Sequence, residues 1–197
     1  MSSRDAVLQA LRRAAPTVAP LPTWDGPTLR FADPVATFVE TVKAVGGTSL
    51  RVPDAAAADA AVRDLETWKR ARVTVSRVPG VGASSVDVDA LSTPHELRDL
   101  DVAVVGGAPG VAENGAVWVA GSDLGRHRAV LFIAESLVLV VPAADIVHTL
   151  HDAYARLRLQ RPGWGTFVAG PSKTADIEQS LVIGAHGPRS CLVLVVG

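Results

Sequence analysis

Three stretches of this chain carry residue types that could do chemistry. The first is Ala112-Glu113-Asn114-Gly115, followed by an apolar run from Ala116. Asn-Gly is the strongest short hairpin signal, and in that reading Glu113 is a solvated turn residue. A carboxylate held at a tight turn can equally face a site as nucleophile or base. The second stretch is Gly170-Pro171-Ser172-Lys173-Thr174-Ala175-Asp176-Ile177-Glu178, fed by apolar Phe167-Val168-Ala169. A helix beginning at Ser172 or Thr174 would offer free N–H groups and a positive dipole end to an anion, with Lys173 adding a cation. The alternative is an ordinary, well-capped strand-to-helix turn. The third is His186-Gly187-Pro188, between Gly184 and Arg189. A histidine there suits proton transfer or anion binding, and equally a structural hydrogen bond.

Other motifs are weaker. Gly165 to Gly170 has the gap of a phosphate-binding P-loop, but Pro171 stands where that motif needs lysine. Pro79-Gly80-Val81-Gly82 partly resembles a dinucleotide glycine pattern, lacks the third glycine and reads as a flexible loop over 79–85. Arg126-His127-Arg128 lies between two apolar runs, either as a solvated hairpin end or as a basic rim for an anionic ligand. His95 follows Thr93-Pro94 in a capping box and reads as an exposed first-turn residue. His148 and His151 share one side of a predicted helix, and two such ligands do not make a metal site.

The elements that must position these residues follow from periodicity. A first helix starts near Ser3, and Pro16, Pro20, Pro22 and Pro27 then make an extended arm. The main domain is expected over 33–197, after an N-terminal helix and arm over 1–32. Asp33 caps a helix with Pro34 at its first position, and Val35, Phe38, Val39 and Val42 give it one buried face. Gly46-Gly47 ends that helix. A strand over 49–52, an alanine-rich helix from Asp54 through Leu65 and a strand over 72–78 come next. Apolar runs predict strands over 102–105, 116–120, 129–133 and 137–141. A helix is predicted over 143–157 with Ile146, Leu150, Ala153 and Tyr154 on one face. A strand over 165–169, a helix over 174–181 and a strand over 192–196 complete the pattern. Helices alternating with apolar strands argue an α/β fold with a mostly parallel sheet flanked by helices, and the close strands after Ala116 add a short antiparallel portion. Ligands of such sheets gather at the carboxyl ends of strands, which also directs attention to Gly107 in the 106–115 loop.

Composition excludes several classes. The chain has 197 residues, with 19 basic and 20 acidic residues and a net charge of −1. With a pI of ≈ 6.5 it lacks the basic footprint of a nucleic-acid binder. A single cysteine forms no intrachain disulfide and supplies no zinc or iron–sulfur ligand set, so no metal or cluster is expected on this chain. Cys191, beside the last apolar run, reads as a buried structural thiol. No secretory signal is evident at the N-terminus, and the most apolar stretch, 129–147, is broken by Glu135, Pro142 and Asp145. The expectation is a cytoplasmic protein without membrane insertion.

The run Gly170 to Glu178 followed by Gly184-Ala185-His186-Gly187-Pro188 resembles the C-terminal signature of the LUD domain family, of the lactate utilisation protein C (LutC/YkgG) type. Ala112-Glu113-Asn114-Gly115 resembles the family's Ala-Glu-(Thr/Asn)-Gly motif, in the same order along the chain. The resemblance runs from about Phe38 to the C-terminus. It implies a NagB/RpiA/CoA-transferase-like fold and a part in L-lactate oxidation beside partner proteins that carry iron–sulfur clusters. It places a small anionic ligand at the loops holding Glu113, Asn114, Gly115, Gly170, Ser172, Lys173, Thr174, Asp176, His186 and Gly187. Glu113 and His186 are the candidate catalytic groups. Asn114 also brings the turn closer to the Glu-Asn-Gly of family I CoA-transferases. That suggests an alternative, a stand-alone CoA-transferase-like or phosphosugar-processing enzyme using Glu113. A ligand sensor without catalysis is a third reading.

Overall fold

Val102, Ala103, Val104 and Val105 are all fully buried, as a strand must be when both faces of its sheet are covered. In the computed structural model, which describes residues 2–15, 20, 28–157, 163–175 and 181–197, that strand lies inside a parallel sheet. In chain order the elements are α1 (Ser3–Arg13), α2 (Pro34–Ala44), β1 (Thr48–Val52), α3 (Ala55–Asp64), α4 (Glu66–Arg70) and β2 (Thr74–Ser76). Then come β3 (Val102–Gly106), β4 (Gly110–Val111), β5 (Ala116–Ala120), α5 (Val130–Ile133), β6 (Ser136–Pro142), β7 (Ile146–Val147) and α6 (Leu150–Arg156). β8 (Gly165–Val168), β9 (Lys173–Ala175), β10 (Leu181–Ile183) and β11 (Ser190–Val196) follow.

Five strands make the parallel sheet in the order β1-β11-β6-β3-β2. Its alternation sorts side chains into two cores. Val102, Val104, Val138 and Leu194 face Ala58 and Val62 of α3. Ala103, Val105, Leu137, Leu139, Val193 and Val195 face the other way, toward Phe38 and Val42 of α2 and Val117 and Val119 of β5. β5 belongs to a second, mixed sheet in the order β7-β4-β5-β8. The molecule is therefore α3 and α4, the parallel sheet, then α2 with the mixed sheet, which agrees with the α/β expectation. Asp33 caps α2 as predicted, its carboxylate accepting from the Ala36 N–H at 2.9 Å, and Gly46 ends it at φ +83°. Cys191 is buried in the core, and burial pushes its thiol up to about 12. Every residue of α1 is exposed. Among the described residues no helix is long and apolar enough to cross a membrane.

Three segments differ from their sequence expectation. The stretch 129–133 is helix α5, not a strand; its buried positions Val130, Leu131 and Ala134 follow helical spacing. The helix predicted over 143–157 is broken. Ile146–Val147 pairs with β4, and α6 starts afresh behind Thr149, whose hydroxyl accepts from the Asp152 N–H in a capping box. Ile146 is thus a strand residue, Tyr154 is exposed, and His148 precedes the helix that His151 joins. The segment over 79–85 is a loop, as read, and is tied along β2, with the Ser84 and Ser85 hydroxyls accepting from Ser76 and Thr74 N–H groups at 2.8 Å each. Finally, the helix predicted over 174–181 gives way at both described ends to strands: β9 and β10 pair as an antiparallel hairpin.

Candidate functional site

The turn carrying Glu113 is strapped to the chain that leads into α6. Ala112 and Glu113 N–H groups donate to the Val147 and His148 carbonyls at 2.9 and 3.1 Å. This lets the Glu113 carboxylate reach forward and accept the Leu150 N–H, at 2.6 Å, at the first position of α6. A helix leaves its first N–H groups unsatisfied, and a carboxylate there also meets the favourable end of the dipole. Asn114 Oδ1 accepts the Ala116 N–H at 3.0 Å, and Gly115 turns the chain at φ +66°. Gly107, at the end of β3, lies where a Cβ would come within 2.5 Å of Val117 Cγ1 and 2.6 Å of the Trp118 carbonyl oxygen. Its requirement for glycine is therefore set by the crossing of β3 over β5.

This arrangement gives Glu113 a capping role that can be measured. Glu113→Gln keeps an acceptor at Leu150 and is expected to leave stability nearly unchanged, whereas Glu113→Ala should cost about 0.5–2 kcal/mol in urea denaturation. Intact-mass analysis after incubation with acyl-CoAs is expected to show no adduct on the wild-type chain. A wild-type adduct that Glu113→Gln abolishes would restore the nucleophile role.

The Gly170 loop meets the Glu113 turn along one helix. Because β5 and β8 pair antiparallel with Val117 opposite Val168, Gly115 and Gly170 leave the sheet at the same end. Gly115 rests on Thr41 and Val42, and Gly170, at φ +73°, rests on the Val45 carbonyl just past α2. Lys173 Nζ donates to that same carbonyl, which holds the predicted anion-binding cation at the end of α2. Ser172 is fixed through its backbone, donating to the Pro188 carbonyl and accepting from the Gly184 N–H at 2.9 Å each. Gly187 packs on the Ser172 side chain, and Thr174 pairs with Val182 in the hairpin. Without a helix starting at Ser172 or Thr174, the dipole argument for an anion site lapses. His186 is exposed, and Asp176 lies outside the described residues. The fold thus brings together Asn114, Gly115, Gly170, Ser172, Lys173 and Gly187, with Asn114 Oδ1, the Ser172 backbone and Lys173 Nζ each bonded to the scaffold.

A cavity of ≈ 810 Å³ opens at the other end of β5, lined by Trp118, Gly121, Ser122, Arg126, Arg128 and Trp164 among others. Two anchors hold the basic segment: the Arg126 N–H donates to Asp89 Oδ1 at 2.8 Å, and buried His127 bonds the Leu91 carbonyl through Nε2 at 2.9 Å. The guanidiniums on either side of His127 are exposed, and among the described residues neither makes an ion pair. Arg128 Cζ lies 5.4 Å from the centre of the Trp164 ring, a cation–π distance. Gly121 donates to the Trp164 carbonyl at 2.7 Å and leaves room for its ring, and Gly165 lies against the Trp118 ring where no larger residue fits. Of the two readings of Arg126-His127-Arg128, the basic rim is the one with a concave surface beside it. Trp118 and Trp164 carry no motif in the sequence; their only signal is a glycine placed where each ring must lie. Among the described residues no group of three or more His, Cys, Asp or Glu could hold a metal ion.

A parallel five-stranded sheet with a second mixed sheet stacked on it defines an α/β protein whose loops meet at the end of its first buried helix. The LUD domain family matches residues 68–196, and the chain belongs to that family. It is 33% identical over 114 residues to the protein named Lactate utilization protein C of Shouchella clausii, covering 54% of this chain and 49% of that protein. It is 29% identical over 167 residues to the protein of the same name from Geobacillus kaustophilus, covering 79% of this chain and 65% of that one. The chain thus spans about half to two thirds of the length of these relatives. A DUF162 family protein from Deinococcus radiodurans has the same fold, with a TM-score of 0.60 at 22% identity, over 86% of this chain and all of that one.

Proposed function

We propose that this chain is a lactate utilisation protein C-like subunit that takes part in L-lactate oxidation beside iron–sulfur partner proteins and itself binds an anionic ligand. The observation that carries the first half is membership of the LUD domain family, joined to relatives named Lactate utilization protein C. The chain's one cysteine fits a subunit that leaves electron transfer to its partners. Cys191 is walled into the core, and burial holds its thiol protonated. The anion-binding half is supported by Arg126 and Arg128, two exposed cations that line the cleft and make no ion pair among the described residues.

Two measurements test this role. Deleting the gene is expected to abolish growth on L-lactate as sole carbon source, and the wild-type gene to restore it. The tagged full chain, purified from lactate-grown cells, is expected to retain proteins that bring iron and acid-labile sulfide into the eluate. Unchanged growth together with an iron-free eluate would overturn the reading.

A further inference from the structure

We infer that the cleft between β5, β8 and the Arg126–Arg128 segment is a binding site for a phosphorylated aromatic ligand of mononucleotide size. This deepens the anion-binding half of the proposed function and rests on it, while standing apart from the lactate half. Size is the first argument. Ligand sites for drug- or cofactor-sized molecules occupy roughly 300–1,000 Å³, and the cleft, at ≈ 810 Å³, falls within that range. A small hydroxy acid such as lactate would fill little of it.

Charge is the second argument. Arg126 and Arg128 flank a histidine that is itself bonded to Leu91, so the backbone of the segment is anchored where both arginines leave it. Planar guanidinium groups match the oxygens of a phosphate in a way that a point charge does not, and two of them suit a dianion better than a single carboxylate. Ser122, also exposed on the rim, donates its O–H to Asp123 Oδ1 at 3.2 Å, which leaves the anion to the two guanidiniums.

The third argument is the aromatic wall. Trp118 and Trp164 both line the cleft and are only partly buried, so indole surface remains exposed to it. Aromatic rings gain from packing against such surface beyond the area they bury. Phe167 and Phe132 brace the two indoles edge-on, with ring centres 5.0 and 6.4 Å away. Gly121 and Gly165 make the room both rings need. An indole pair braced from behind and rimmed by two cations favours a ligand with a flat ring at one end and a phosphate at the other.

Isothermal titration of the full chain with adenosine 5′-monophosphate, adenosine and inorganic phosphate separates the parts. The monophosphate is expected to bind at least about tenfold more tightly than either fragment. Arg126→Ala with Arg128→Ala, both at exposed positions, should bring its affinity down about tenfold or more. Ser122→Trp, which plugs the cleft while keeping both arginines, should weaken binding too. Arg98→Ala, an exposed arginine outside the cleft, should leave it unchanged. Thermal unfolding of each variant confirms that it is folded. No saturable heat with the monophosphate, or equal binding by the double-arginine variant, overturns the site. Phosphate binding as tightly as the monophosphate overturns the aromatic half and leaves a simple anion site. None of these outcomes bears on growth on lactate.

Discussion

Replacing Phe38 with alanine is expected to cost about 3–5 kcal/mol of folding stability, read as a shift of the urea midpoint at unchanged slope. Phe38 is fully buried on the inner face of α2. Its ring lies over Gly110 of β4, where a Cβ would come within 3.2 Å of Phe38 Cε2 and Cζ and 3.3 Å of Val141 Cγ1. One side chain thus touches the helix, the mixed sheet and the parallel sheet. The gap left by truncation cannot close by moving any one of them, because β6 is hydrogen-bonded on both sides and β4 lies between β5 and β7. Cavities that cannot collapse give the upper part of the range for large-to-small substitutions. Against a typical total of about 5–15 kcal/mol, such a loss leaves a marginal protein. A cost below about 1.5 kcal/mol would show that α2 settles onto the sheets and that the three layers are not locked through this ring.

How much of this was legible in the sequence depends on how local the cause is. The Asp33-Pro34 start of α2 and its Phe38 and Val42 face are set by residues within two turns of one another, and both stand as read. The continuous apolar runs of β3, β6 and β11 also stand, because burial on both faces leaves no other pattern. Two of the misread segments, 129–133 and 146–147, are short apolar runs, where helix and strand give the same composition. Ile146 and Val147 become a strand only because β4 lies ready to pair with them. The same division holds for the site. Residue type shows what Glu113 and Lys173 can do, but their partners lie 37 and 128 residues away, and those partners decide what they actually do. Conversely, Trp118 and Trp164 come to line one cleft through the β5–β8 pairing, which nothing next to either residue announces.

Gly115→Ala should be a costly single-methyl change in the loop cluster, about 2–4 kcal/mol by urea denaturation. Two independent terms meet there. At φ +66° a residue with a side chain is strained. The added Cβ would also stand 2.9 Å from the Val42 nitrogen and 3.0 Å from the Thr41 carbonyl carbon, both helix backbone that cannot rotate away. Asn114→Ala, which removes one hydrogen bond to the Ala116 N–H, should cost only about 0.5–1.5 kcal/mol. Each residue of the Ala-Glu-Asn-Gly motif then has its own mechanical reason. Ala112 is fully buried, Glu113 caps α6, Asn114 closes the turn and Gly115 lets the turn touch α2. The motif is a junction of α2, α6 and the mixed sheet, which accounts for each of its residues without requiring a reacting carboxylate. The two accounts part at the opposite end of β5. If the motif is a junction, folded Gly115→Ala binds adenosine monophosphate at the Arg126–Arg128 cleft as the wild type does and differs only in stability. A Gly115→Ala chain of wild-type stability that has lost ligand binding would instead make the turn part of the binding site.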